Sequence, residues 1–284
     1  MNKVLACIDG GPQTPGVCDY AVWSAQHLQA PLEFLHVLEH YPERALISDF
    51  SGSIGLGAQE SLLHELAALD EQQSRLAQQR GWQILDVAKE RATAAGVTNP
   101  DARQRHGSLM ETLLELENTT RLVVVGQRPQ PGAVPRLHLD QNVERVVRGL
   151  HKPVLVSTSL FKTPVRCAIA FDGSATGRRL IDVLAASPML RGLTCHIVMA
   201  GEASAQMEEQ LGWANSTLRE AGFDSRTWRR EGDAENVLHE AIADHDIDLL
   251  VMGAYGHSRI REMMVGSTTT TMLRTSPVPV LILR

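Results

Sequence analysis

Short apolar runs alternate along this chain with longer stretches in which apolar residues recur at helical spacing. Leu122–Val125 is continuous and β-branched, which is typical of a strand buried on both faces. Leu62, Leu66 and Leu69 recur at intervals of three and four residues, which predicts an amphipathic helix. This alternation predicts an α/β fold, a mostly parallel sheet with helices on both faces.

Four blocks of the first half recur in the same order in the second half, which predicts a tandem duplication of one α/β unit. The matched blocks are Lys3–Gly11 with Val165–Ser174, Leu32–Leu38 (more loosely) with Leu193–Met199, Gly107–Gly126 with Gly232–Gly253, and Val146–Leu155 with Met272–Leu281. At ~150 residues per domain, the 284 residues hold two units. We place them at residues 1–160 and 163–284.

The first unit also carries an insertion near residues 40–80. It includes the glycine-rich stretch Gly52–Gly57, followed by an amphipathic helix predicted over Glu60–Leu76. Such a segment could cover a partner domain or a second ligand, or it could simply cover an exposed sheet edge. The sequence favours neither interpretation.

Composition and charge exclude several classes of partner. The formal net charge is −6 and no block of five Lys or Arg occurs, which argues against nucleic acid and anionic membranes. No apolar run reaches the ~18 residues of a membrane span, and the chain enters a strand at Lys3 without a cleavable leader, so we expect a cytoplasmic protein. The four scattered cysteines lack a Cys-x-x-Cys spacing and are expected to be buried free thiols.

The candidate chemistry lies near the end of the second unit. Asp248–Met252 predicts a buried strand that stops at Gly253, and Gly266–Thr269 stands where a new helix should begin. Ser and Thr can cap a helix, and the free amides of its first turn bind anions such as phosphate. We therefore predict a phosphate cradle at the carboxyl end of a sheet strand, where open α/β sheets bind ligands.

Neither of the two commonest nucleotide motifs is present. A Walker loop needs Gly-x-x-x-x-Gly-Lys-Ser/Thr, and the chain has no such run. The nearest approach to Gly-x-Gly-x-x-Gly is Gly52–Gly57, which has the wrong spacing and follows no predicted strand. The Ser-Gly-Gly-x-Asp-Ser run of adenylating pyrophosphatase-loop enzymes is also absent.

A known family does have the observed spacing. Gly253-x2-Gly256-x9-Gly266-Ser267, followed by the apolar run Pro277–Leu283, resembles the ATP-binding signature of the universal stress protein family. The resemblance extends over the whole chain, twice. It implies a five-stranded Rossmann-like sheet, of the adenine nucleotide alpha hydrolase type, for each half. It also implies ATP or another adenine nucleotide as ligand, which Mg²⁺ could accompany.

The resemblance also assigns roles to individual residues. Asp172 would contact the ribose, although an aspartate there could equally be a helix N-cap. Arg259 could reach a terminal phosphate or face solvent, and His257 could be a general base or an ordinary loop histidine. The remaining implied contacts are Ala170 and Val198 with adenine, Met252 and Gly253 beside the nucleotide, and Gly256, Gly266, Ser267, Thr268 and Thr269 with the phosphates. The hydroxyls of Ser267 and Thr269 could hold phosphate oxygens or join a Mg²⁺ shell. No catalytic residue and no protein ligand for a metal ion is assigned.

The first half departs from this pattern. Pro129 stands where the second glycine is expected, and Asp140 and Gln141 stand where Gly266 and Ser267 do, although Asp9 is kept. A carboxylate ~4 Å from a phosphate at a dielectric of ~20 costs about 4 kcal/mol. We therefore expect nucleotide binding in the second half only.

These observations favour a stress-response protein that binds an adenine nucleotide as a regulatory ligand. A slow ATPase or phosphotransferase is the alternative, and a ligand-free interaction scaffold is a third interpretation. Single-unit members of the family dimerise through their last strand, so the resemblance implies that Lys152–Ser157 and Pro277–Arg284 pair within this chain. The chain would then be an intramolecular pseudo-dimer linked through Phe161–Thr163, and its association into a homo-oligomer stays open.

Overall fold

Ten strands form one continuous sheet in the computed structural model, which describes residues 2–38, 56–127, 141–254 and 267–284. The first half contains β1 Lys3–Cys7, α1 Thr14–Leu28, β2 Leu32–Leu38, α2 Leu56–Ala94, β3 Asp101–His106, α3 Leu109–Leu116, β4 Thr120–Gly126, α4 Gln141–Gly149 and β5 Val154–Ser157. The second half contains β6 Arg166–Ala170, α5 Ala175–Ala186, β7 Thr194–Ala200, α6 Ala205–Glu220, β8 Asp224–Arg230, α7 Ala234–Asp244, β9 Leu249–Gly253, α8 Ser267–Thr275 and β10 Val280–Leu283.

The strand order is β3-β2-β1-β4-β5-β10-β9-β6-β7-β8. Every pairing within a half is parallel, whereas β5 and β10 pair antiparallel, with Leu281 opposite Leu155. This confirms the predicted α/β pseudo-dimer: two five-stranded units joined edge to edge through their last strands. Apolar runs at the centre of the sheet account for this arrangement, because all of β5 and β10 is buried.

Helices cover both faces of the sheet. One buried cluster contains apolar side chains of α1, α2, α5 and α6, and the other contains those of α3, α4, α7 and α8. Among the described residues, no helix combines the length and apolarity that a membrane crossing requires. The four cysteines are free thiols, three of them buried and Cys7 half-buried.

The ladders correct one of the four matched blocks. Cys7 pairs with Leu35 and its counterpart Ala170 pairs with Val198, so Leu35 corresponds to Val198. The sequence match aligned Leu35 with His196, two residues away. Side chains alternate between the faces of a strand with a period of two, so a slip of two residues leaves the apolar pattern unchanged and undetected.

The insertion is also simpler than predicted. The helix predicted over Glu60–Leu76 is part of α2, which continues unbroken to Ala94. Gly81 lies in the middle of α2, where a Cβ atom would stand 2.1 Å from Gln104 Nε2 and 2.6 Å from His36 Cδ2. This glycine therefore lets the helix pack closely on the sheet rather than ending it. Gly52 and Gly55 lie outside the described residues.

A buried carboxylate fixes the connection between the halves. Asp248, just before β9, accepts hydrogen bonds from the backbone amides of Val165 (2.9 Å) and Arg166 (3.0 Å). Its other oxygen lies 2.5 Å from Lys162 Nζ, and its side chain is only 2% exposed. Burial by itself would raise the pKa of Asp248, but the hydrogen bonds from Lys162 and the two amides outweigh it and hold the pKa below its ordinary value of 3.8.

Candidate ligand site at the carboxyl edge of the sheet

The sheet of the second half brings four of the predicted site residues to one edge. β6, β7 and β9 are neighbours and run parallel, so their carboxyl ends meet. Ala170 lies directly opposite Val198, and Met252 and Gly253 end the adjacent strand β9. The side chains of Ala170, Val198 and Met252 belong to the cluster on the same face as α8, so they form a shared apolar wall.

Asp172 lies in the turn that follows β6. Its Oδ1 accepts hydrogen bonds from the amide of Ser174 (3.0 Å) and from the hydroxyl of Ser174 (2.6 Å). The N-cap of α5 is Ser174, whose hydroxyl oxygen accepts from the Gly177 amide at 3.0 Å. Asp172 is therefore not the N-cap. Ser174, which is the N-cap, holds the half-buried carboxylate of Asp172 at the edge of the sheet.

The first turn of α8 is fastened to the end of β9. Thr269 is 4% exposed, and its hydroxyl donates to the carbonyl oxygen of Gly253 at 3.1 Å. Ser267 is exposed and Thr268 half-buried at the start of the same helix, where backbone amides have no intrahelical partner. In this arrangement the Thr269 hydroxyl proton anchors the helix, so the donor that Thr269 could still offer a phosphate is its backbone amide. The contact with phosphate itself stays a prediction.

The loop that joins β9 to α8 lies outside the described residues. It contains Gly256, His257, Arg259 and Gly266, so the roles predicted for them stay predictions. Pro129 and Asp140 of the first half also fall outside the described ranges. Gln141, by contrast, begins α4 at the position where Ser267 begins α8.

The first half contains a well-formed cleft at its own carboxyl edge, with a volume of about 260 Å³. Fully buried apolar side chains form its walls, among them Leu35, Val125 and Val143. Asp9 Oδ1, on its rim, accepts from the Gly11 amide at 2.8 Å. The sequence gives no sign of this cleft. The glycine signature is defined by the loop after the strand, whereas the cleft is formed by the packing of side chains from several strands and helices.

Gln13 is one of the polar residues of this cleft that the sequence did not reveal; Thr14, His36 and Asn142 also line it. Gln13 is 4% exposed, and its Oε1 is buried without a hydrogen-bond partner among the described residues. The Cys7 thiol also lines the cleft; burial raises its pKa to about 12, which disfavours the reactive thiolate near neutral pH. No pattern marks Gln13, since a polar residue just before a helix is normally exposed.

Comparison with known proteins places this architecture in context. A family model, the universal stress protein family, matches residues 1–158 and 179–284. A universal stress protein of Synechocystis sp. is 35% identical over 287 residues, and the match covers 100% of both chains. The crystal structure of a universal stress protein from Archaeoglobus fulgidus superposes with a TM-score of 0.72 at 16% identity, over 100% of this chain and 98% of that one. At that identity the structural likeness bears on the fold alone.

Proposed function

This chain belongs to the universal stress protein family, and from that premise we propose that it binds ATP or a related adenine nucleotide in its second half as a regulatory ligand. It would act in the cytoplasm, where the bound nucleotide selects the state that a downstream partner recognises. The main support is the bond from Thr269 to Gly253, which holds the first turn of α8 against the end of β9.

The chemistry of the edge matches the three parts of such a ligand. The apolar wall of Ala170, Val198 and Met252 suits a flat heteroaromatic base. The Asp172 carboxylate can accept hydrogen bonds from ribose hydroxyls. The amides at the start of α8, which have no partner within the helix, suit the phosphates together with the helix dipole.

An ATPase or phosphotransferase is the alternative from another class. Phosphoryl transfer depends on charges and a nucleophile held in line with the phosphate. Asp172 is the carboxylate that directly follows β6, and both donors of Ser174 already hold its Oδ1. We therefore expect binding without efficient turnover; hydrolysis faster than about 1 per second, abolished by Ser267→Ala, would instead make the protein an enzyme.

The decisive experiment places a negative charge at the proposed phosphate seat. In Thr268→Asp, a carboxylate would stand in the first turn of α8, where it favours the helix but repels phosphate. At ~4 Å and a dielectric of ~20 the repulsion is about 4 kcal/mol, so ATP affinity should fall roughly a thousandfold. The measurement is isothermal titration calorimetry on the full chain.

The duplication provides a matched control. Asn142 occupies in α4 the position that Thr268 occupies in α8, so Asn142→Asp makes the same kind of change in the other half. ATP affinity should stay within about threefold of the unmodified protein in this control. Equal losses in both variants, or none in Thr268→Asp, would contradict the proposal.

A further inference from the structure

The cleft of the first half resembles the site of the second half where the base and sugar would lie, and differs from it where the phosphates would lie. Its apolar seat is retained, since Cys7, Leu35 and Val125 take the positions of Ala170, Val198 and Met252. Asp9 likewise takes the position of Asp172, and both accept a hydrogen bond from the amide two residues later. The two halves are therefore alike where a base and a sugar would lie.

The other end of the cleft has lost its hydroxyl groups. α4 begins with Gln141, Asn142 and Val143, where α8 begins with Ser267, Thr268 and Thr269. Val143 is 3% exposed and has no hydroxyl to donate to Gly126 as Thr269 does to Gly253. Of the described residues that line the cleft, none is Lys or Arg. This end therefore offers less to a phosphate than its counterpart.

Gln13 occupies the space at the end of β4 instead. A Cβ atom on Gly126 would stand 2.6 Å from Gln13 Cγ, which shows how closely this side chain lies against the strand end. Within the described part of the chain, its Oε1 is a buried acceptor without a partner, and such a group is costly to leave unsatisfied. A ligand that donates an O–H or N–H hydrogen bond would satisfy it. A phosphate oxygen, itself an acceptor, would not.

We propose that the cleft of the first half binds an uncharged nucleoside, with a free hydroxyl that donates to Gln13 Oε1. The choice of a nucleoside rests on the proposed function, because it transfers the base and sugar contacts of the second half to the first. The cleft volume of about 260 Å³ lies just below the ~300 Å³ at which pockets for drug-sized ligands begin. One chain would thus carry two sites that distinguish a nucleotide from the nucleoside it contains.

The test compares adenosine with AMP on the full chain. Thr268→Asp repels phosphate from the second site but not adenosine, so Ala170→Trp is added to fill the proposed base seat there. Adenosine should bind at least tenfold more tightly than AMP. Gln13→Met keeps the length of the side chain but removes the acceptor, and it should weaken adenosine binding about tenfold. Gln26→Met is the matched control, within the helix α1 that Gln13 precedes. The Gln26 amide donates to Ala95 O, away from the cleft, so this variant should leave the affinity unchanged.

A second measurement does not depend on any variant. In the unmodified protein, adenosine should shift the methyl NMR signals of Val37 and Leu109, which line the cleft. If these signals move and ATP binds nowhere, the proposed function fails and this inference stands. If ATP binds in the second half while adenosine leaves the signals unmoved, this inference alone is overturned. Equal affinity for adenosine and AMP, or no effect of Gln13→Met, would also overturn it.

Discussion

At the scale of single residues, Asp248 stabilises the connection between the two halves, away from the ligand sites. It holds the backbone of Val165 and Arg166 at the start of the second half and pairs with Lys162 of the linker. A buried charge is tolerable only when hydrogen bonds replace its lost hydration. Removing the charge should therefore weaken the contacts that hold the start of β6, without changing the residues of either ligand site.

Asp248→Asn should lower the free energy of unfolding by about 2–3 kcal/mol, because hydrogen bonds to a buried charged acceptor are weakened. Since the pKa of Asp248 is depressed by folding, its contribution is full above the ordinary value of 3.8 and declines as the pH falls below it. The deficit of the variant, measured by urea denaturation, should thus be constant near neutral pH and shrink in acid.

Asp246→Asn is the control for that measurement. Asp246 is 75% exposed and lies 3.6 Å from Arg166, and exposed ion pairs of this kind contribute about 0–1 kcal/mol. If the two variants were equally stable, the role assigned to Asp248 would be wrong.

Residue by residue, the sequence predicted the parts of the site that lie on strands better than the parts that depend on packing. Ala170, Val198 and Met252 meet at one edge, as parallel strands require. The sequence could not decide whether Asp172 contacts a ribose or caps a helix. The structure excludes the cap, because the N-cap of α5 is Ser174, two residues later. Gln13 could not be predicted at all, since its burial follows from how α1 approaches the end of β4.

At the scale of elements, the pairing of β5 with β10 decides whether the halves act as one body. The side chains of Val280, Leu281, Ile282 and Leu283 are all buried. Each such side chain contributes roughly 1.5–3 kcal/mol on burial. Together they amount to about 6–12 kcal/mol, which is comparable to the ~5–15 kcal/mol that stabilises a whole domain.

Deleting residues 278–284 should consequently separate the halves and expose apolar surface. We expect a larger radius of gyration by small-angle scattering and a lower melting temperature. A chain lacking only Arg284 is the control; it loses two hydrogen bonds, to the carbonyl oxygens of Val147 and Arg148, and should stay compact. A compact 278–284 deletion with unchanged melting would refute the role of this pairing.

The elements also show which features of the fold the hydrophobic pattern of the sequence predicts and which it does not. Continuous apolar runs identified the central strands because burial on both faces leaves no polar position. The match of β2 with β7 slipped by two residues, since that displacement preserves the faces. The helix predicted over Glu60–Leu76 falls short of the end of α2 at Ala94. The sequence does not show whether Gly81 interrupts a helix, whereas the structure shows it packed closely against Gln104 inside one.

At the scale of the whole molecule, the antiparallel joint makes the strands of one half run opposite to those of the other. The carboxyl edges therefore lie on opposite edges of one sheet, and with them the cleft of the first half and the proposed site of the second. A ligand at one of these sites would not touch a ligand at the other.

We predict one ATP per chain, bound in the second half. The first half begins α4 with Gln141, Asn142 and Val143 in place of the hydroxyl residues, and acidic Asp140 precedes that helix in the sequence. Calorimetry with ATP should give a stoichiometry near one, and Gly266→Asp, which copies the first half, should abolish the binding. Two equivalent sites per chain would contradict this.

The covalent joint between the halves also changes what a mutation can do. In a symmetric dimer of identical subunits, every substitution appears in both copies of the site, so the two cannot be altered separately. When the same two-fold arrangement is built from one duplicated chain, each copy has its own codons. Thr269 and Val143, at equivalent positions, show such a difference: one half has a hydroxyl there and the other does not, while the β5–β10 seam that unites them is apolar on both sides. In a duplicated chain the two sites can thus change separately, whereas a change in the seam affects both halves at once.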